Sequence, residues 1–86
     1  MPTISMFYGI IIRMFFDDHS PAHFHVAYGE FQAKITIESL EIIDGNLPNR
    51  TLALVLEWAA FHRNELREDW NLCRQKQQPK KIHPLE

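Results

Sequence analysis

The feature that most constrains this chain is a change of hydrophobic period partway along it. From Met1 to about Asp44 apolar residues alternate with period two, and from Asn49 to about Gln77 they recur at helical spacing. Strands followed by a helix predict an α+β domain: an antiparallel β-meander of four to five strands packed on one long C-terminal α-helix. A chain of 86 residues has no room for a second core, so a single domain over 1–86 is expected. Its sheet covers about 2–44, its helix about 49–77 and a basic tail 78–86.

The strand boundaries follow from turn chemistry. A first strand over Pro2–Phe7 enters a turn at Tyr8-Gly9, and a second runs from Gly9 to Phe16. In it Ile10, Ile12, Met14 and Phe16 face one side, with Ile11, Arg13 and Phe15 on the other. Asp17 to Ala22 is a loop by composition, the third strand is His23–Tyr28, and the fourth is Phe31–Glu38. Gly29-Glu30 has glycine first, as a two-residue type II′ hairpin requires. That turn pairs Tyr28 with Phe31, Val26 with Ala33 and Phe24 with Ile35. On the opposite face it sets His25 beside Lys34 and His23 beside Thr36. A last short strand over Leu40–Ile43 ends at Asp44-Gly45-Asn46.

The helix is expected to start after Leu47-Pro48 with Asn49 as N-cap. Leu52, Val55, Leu56, Ala59, His62, Leu66, Trp70 and Cys73 make one stripe for the sheet. His62, on that stripe, is expected to bond a strand carbonyl, and Cys73 to fill space. Leu54, Trp58 and Phe61 form a second apolar stripe that also needs cover. Two covers suit it: the N-terminal strand with the tail Ile82-His83-Pro84-Leu85, or a partner chain, and aromatic anchors favour the partner.

Composition excludes several classes. Apolar residues at 45 % and charged residues at 23 % are ordinary for a folded domain, so disorder is excluded for most of the chain. The single Cys73 cannot form an internal disulfide and fits a reducing, cytoplasmic setting. Ile10-Ile11-Ile12 is interrupted by Arg13, so no membrane span or export signal is read. Net charge is −2, divided as −5 before Cys73 and +3 from Cys73 onward. A basic end on an acidic body steers toward polyanions, although cations at a helix C-terminus also complement the helix dipole.

Chemistry concentrates in Asp17-Asp18-His19-Ser20-Pro21-Ala22-His23-Phe24-His25. His23 and His25 share one strand face, which the period-two pattern assigns to solvent, and His19 lies in the loop feeding that strand. Imidazole titrates near neutrality and serves as general acid, general base or metal ligand. Lys34 and Arg13 on the same face would neutralise a phosphate. Without chemistry, the same histidines are polar residues on the wet face of a sheet, and replacing either should barely change stability. A Zn²⁺ version would use His23 and His25 with His19 or Asp17. No longer ligand spacing accompanies them, so no cofactor is expected.

Met1-Pro2-Thr3-Ile4-Ser5, Phe7-Tyr8-Gly9, Asp18-His19-x-Pro21-x-His23-Phe24-His25, Tyr28-Gly29-Glu30, Gly45-x-Leu47-Pro48 and Glu57-Trp58-Ala59 together resemble the bacterial domain-of-unknown-function 4160 family. That family usually has Pro-Pro before His-Phe-His, where this chain has Pro21-Ala22. The resemblance implies the toxin position of a type II toxin–antitoxin pair, with a partner antitoxin of the domain-of-unknown-function 2442 family. It assigns no catalytic residues. The reading that results is a translation inhibitor, as a metal-independent ribonuclease acting on RNA or the ribosome. The alternatives are a non-catalytic nucleic-acid- or protein-binding module, or a small metal-binding protein. A homodimer through the Leu54, Trp58 and Phe61 stripe is a further option.

Overall fold

A computed structural model describes residues 2–86. Five strands, β1 (Thr3–Phe7), β2 (Ile10–Arg13), β3 (His23–Tyr28), β4 (Phe31–Thr36) and β5 (Ile42–Gly45), form one antiparallel sheet in sequence order. Two helices follow, α1 (Asn49–Phe61) and α2 (Arg63–Arg74). The β3–β4 register is the one the Gly29-Glu30 turn dictates, from His23↔Thr36 to Tyr28↔Phe31. Gly29 has φ +56, which glycine adopts without strain. Ile12↔Val26, Val26↔Ala33 and Phe24↔Ile35 are cross-strand pairs of buried residues, and they carry the core.

β2 stops at Arg13, although Met14 remains fully buried. β4 stops at Thr36, short of the expected Glu38, because the Thr36 side chain captures the following turn. Its Oγ1 accepts the Glu41 N–H at 3.1 Å, and Leu40 N–H bonds Thr36 O at 3.0 Å. β5 therefore begins at Ile42 rather than Leu40, and it is exposed along its length. At its end Gly45 has φ +77, and a Cβ there would lie 2.1 Å from Gln32 O. Only glycine fits.

The expected single long helix over 49–77 is incorrect. The helix breaks at His62, whose φ of −116° and ψ of 24° leave the helical region. No Gly or Pro marks the break. Tertiary contacts set it: Arg63 Nε donates to Ile37 O at 3.1 Å, which holds the start of α2 against the β4 turn. The bend lets Val55, Trp58 and Ala59 of α1 and Leu66, Trp70 and Cys73 of α2 all bury. His62 bonds Glu65 through Nδ1, not the expected strand carbonyl. Pro48, not Asn49, occupies the N-cap position, with no side-chain cap. α2 ends at Arg74 in a Schellman arrangement, with Gln77 N–H bonding Leu72 O and Lys76 N–H bonding Cys73 O.

The Trp58 stripe is closed internally. Trp58 is 0 % exposed, and its Nε1–H donates to His83 O at 2.9 Å. Ile82 N–H bonds Ile4 O at 2.7 Å, and Lys80 N–H bonds Asp69 Oδ1 at 2.8 Å. The tail thus straps β1 to both helices. This corrects the assignment of Trp58 to a partner interface: on a helical wheel it lies only about 60° from Val55, within reach of a widened core face. Leu54 is partly buried, while Phe61 stays 77 % exposed. No helix among the described residues is long and apolar enough to cross a membrane.

Candidate functional site

The site forms where the loop before β3 meets the end of α2. Asp17 N–H bonds Cys73 O at 3.4 Å, and Lys76 Nζ lies 3.4 Å from the Asp17 carboxylate. These contacts hold the loop on the helix and turn the next residue, Asp18, toward β3. Asp18 Oδ1 accepts the His19 N–H at 3.0 Å, and Oδ2 accepts from His25 Nε2 at 2.8 Å. Burial raises the Asp18 pKa, but the bonds from His25 and His19 outweigh it and hold the carboxyl below its ordinary value. For His25 burial is the larger effect. It pushes the imidazole below its ordinary value despite the carboxylate beside it.

His23 differs from the expectation. It shares the face of His25, with ring centroids 5.1 Å apart, but it is only 4 % exposed. Trp70 of α2 closes over it at 5.4 Å, so the helix reaches round the end of the sheet. His23 Nδ1 donates to Pro21 O at 2.7 Å, which leaves Nε2 of the neutral ring without a proton. Nε2 lies 3.0 Å from Asp18 Oδ2 but makes no hydrogen bond there and is otherwise buried and unpartnered. His23 is therefore not a solvated residue. Asp18, His23 and His25 place three ligand-type atoms within 4.8 Å of one another. His19 is exposed and lies outside this group, and Asp17 turns to Lys76.

Next to this group runs a cross-strand row, Arg13↔His25↔Lys34↔Asp44, over four adjacent strands. Phe15 packs edge-on against the His25 ring at 4.2 Å. These residues line a shallow pocket of about 330 Å³. Lys34 Nζ stands 3.9 Å from Asp44, a loose pair on an exposed surface.

Sequence reasoning placed His25 beside Lys34 through the hairpin register and Arg13 on the same face through strand alternation. It missed Asp18 as the residue that joins the two imidazoles, because Asp17 and Asp18 are chemically alike and only the loop's path distinguishes them. It missed Trp70 over His23 because that contact depends on the helix bend.

A five-stranded antiparallel meander under a bent helix pair, with a histidine–carboxylate group at one end, defines a small α+β domain carrying a polar candidate site. The chain belongs to the family described as Domain of unknown function (DUF4160), which matches it over residues 9–71. Neither a curated protein nor a solved structure matches it.

Proposed function

We propose that this domain is the toxin of a type II toxin–antitoxin pair and inhibits translation in the cytoplasm by cleaving RNA without a metal. The observation that carries the reading is the Arg13↔His25↔Lys34 row, which sets an imidazole between two cations at adjacent strand positions. Arg13 and Lys34 would neutralise a phosphodiester. With Nε2–H given to Asp18, His25 has Nδ1 free to act as base. It would take the proton of a 2′-hydroxyl as the 2′ oxygen attacks phosphorus. The bond from phosphorus to the 5′ oxygen then breaks, and the imidazolium returns its proton to that oxygen. The products are a 2′,3′-cyclic phosphate and a 5′-hydroxyl end.

In this reading His23, buried behind Asp18, is a positioning residue rather than the second acid–base group. The antitoxin would be the domain-of-unknown-function 2442 protein that the family resemblance implies. The test is expression with and without that protein, scored by growth, together with cleavage of labelled RNA by the purified chain. His25→Ala should lower cleavage by about 10²–10⁴-fold. A folded His25→Ala variant that remains fully toxic would exclude the catalytic reading.

A second reading, a non-catalytic docking module, is favoured by a different observation. Phe61 and the β5 residues Ile42 and Ile43 are exposed apolar side chains outside the lining of the His25 pocket. Toxicity that survives at His25 but is lost with Phe61→Ser would support it.

A further inference from the structure

We infer that Asp18, His23 and His25 form a binding site for a divalent transition metal, with Zn²⁺ the best match to the donors. Three independent features of the fold meet there. The first is convergence: His23 Nε2 and His25 Nε2 approach the same Asp18 Oδ2, at 3.0 and 2.8 Å. Ligand atoms bound to one tetrahedral Zn²⁺ at about 2.0–2.1 Å are roughly 3.3 Å apart, so small side-chain rotations suffice to admit the ion.

The second is the state of His23. Its Nδ1–H is taken by Pro21 O at 2.7 Å, and in the neutral ring that bond leaves the lone pair on Nε2. A histidine ligand commonly donates its other N–H to a carbonyl or carboxylate in this way. That lone pair is buried and without a hydrogen bond, and leaving such a group unsatisfied is costly. A metal ion satisfies this atom and also removes the repulsion between it and the Asp18 carboxylate.

The third is access. Asp18 remains partly exposed and lines a surface hollow with Asp17, His19, Ser20 and Arg74, so an ion can reach the carboxylate from solvent. Two imidazoles and one carboxylate favour zinc and similar metals over Mg²⁺ or Ca²⁺, which need mainly oxygen donors. Three protein ligands leave one tetrahedral position for water.

This site does not rest on the RNA-cleaving reading. Metal on His25 Nε2 leaves the remaining ring proton on Nδ1, so a loaded site offers a donor to the neighbouring pocket and not a base. Zinc loading would therefore oppose the base role proposed for His25.

The test is titration of Zn²⁺, with Mg²⁺ as control, into the full untagged chain by calorimetry, with Co²⁺ absorption to report geometry. One Zn²⁺ per chain is expected, together with tetrahedral Co²⁺ bands and no response to Mg²⁺. Because His23 is buried, the variants are Asp18→Asn and His25→Gln, with circular dichroism confirming the fold. Each should weaken binding by at least about tenfold, while His19→Ala should leave it unchanged. Absent zinc binding, or binding that ignores Asp18→Asn and His25→Gln, overturns the site. So does binding that is lost with His19→Ala. Zinc binding that follows the expected pattern in a chain that cleaves no RNA supports the metal site and counts against only the cleavage reading.

Discussion

Trp58 Nε1–H donates to His83 O at 2.9 Å, tying the middle of α1 to the end of the tail. The contact closes a core that the sheet and helices leave open on one side. Removing residues 79–86 should expose Trp58 to water. Burial of an indole is worth about 1.5–3 kcal/mol, so the truncated chain should lose at least that much stability. Trp58→Ala should cost about 3–5 kcal/mol in an otherwise monomeric protein. Urea unfolding followed by circular dichroism measures both. An unchanged midpoint in the truncated chain would mean that the strap carries no stability.

Asp69 gives a pH-dependent signature of the same strap. It is 1 % exposed, its Oδ2 has no partner, and burial pushes its pKa up to about 6. The folded value exceeds the ordinary aspartate value of 3.8, so the folded state binds this proton more tightly than the unfolded one. The buried carboxylate therefore costs stability at pH 7, and the cost is relieved as pH falls from about 6 toward about 4. Asp69→Asn keeps an acceptor for the Lys80 N–H and removes the charge. The variant should melt above the wild type at pH 7.5, with the gap narrowing below pH 6, in thermal scans across that range.

Replacing His23 tests burial directly. On a solvated face the change would be within about 0.5 kcal/mol. His23 instead packs under Trp70 and bonds Pro21 O, so His23→Ala should cost about 1–3 kcal/mol. His25→Ala, at a partly exposed position, should cost less. Equal denaturation midpoints for the two variants would contradict the burial difference.

Gly45→Ala should destabilise the β4–β5 edge. Its Cβ would meet Gln32 O at 2.1 Å with φ at +77, so backbone must shift. A loss of at least about 1 kcal/mol is expected, with faster amide exchange in β5 than in β3. Gly29→Ala, with open space around it, meets only the cost of its positive φ and should lose less.

Single substitutions of Arg13 and Lys34 should separate binding from chemistry. Each should weaken RNA binding in a salt-dependent way and leave the fold intact, since both side chains lie at the surface of the pocket. Fluorescence anisotropy with a labelled oligonucleotide at two salt concentrations reads this directly. Binding indifferent to both substitutions would remove the row from the site.

Much of the sheet was legible in the sequence, because period-two patterning and the glycine turn act over short range. The pairing of His25 with Lys34 followed from the hairpin register, and strand alternation put Arg13 on the same face, while its place directly opposite His25 is set by the β2–β3 pairing. What only the tertiary structure decided depends on contacts between distant segments. The break at His62 has no Gly or Pro to announce it, since it comes from Arg63 reaching Ile37 O and from two hydrophobic faces seeking one sheet. The burial of His23 depends on where that bend places Trp70. Trp58 turned inward because a polar-looking tail carries Ile82 back to β1 and supplies a carbonyl for the indole. Choosing Asp18 over Asp17 or His19 required the loop's path across α2. Local chemistry set the pairing of neighbouring strands, while long-range packing determined which polar groups lost their water.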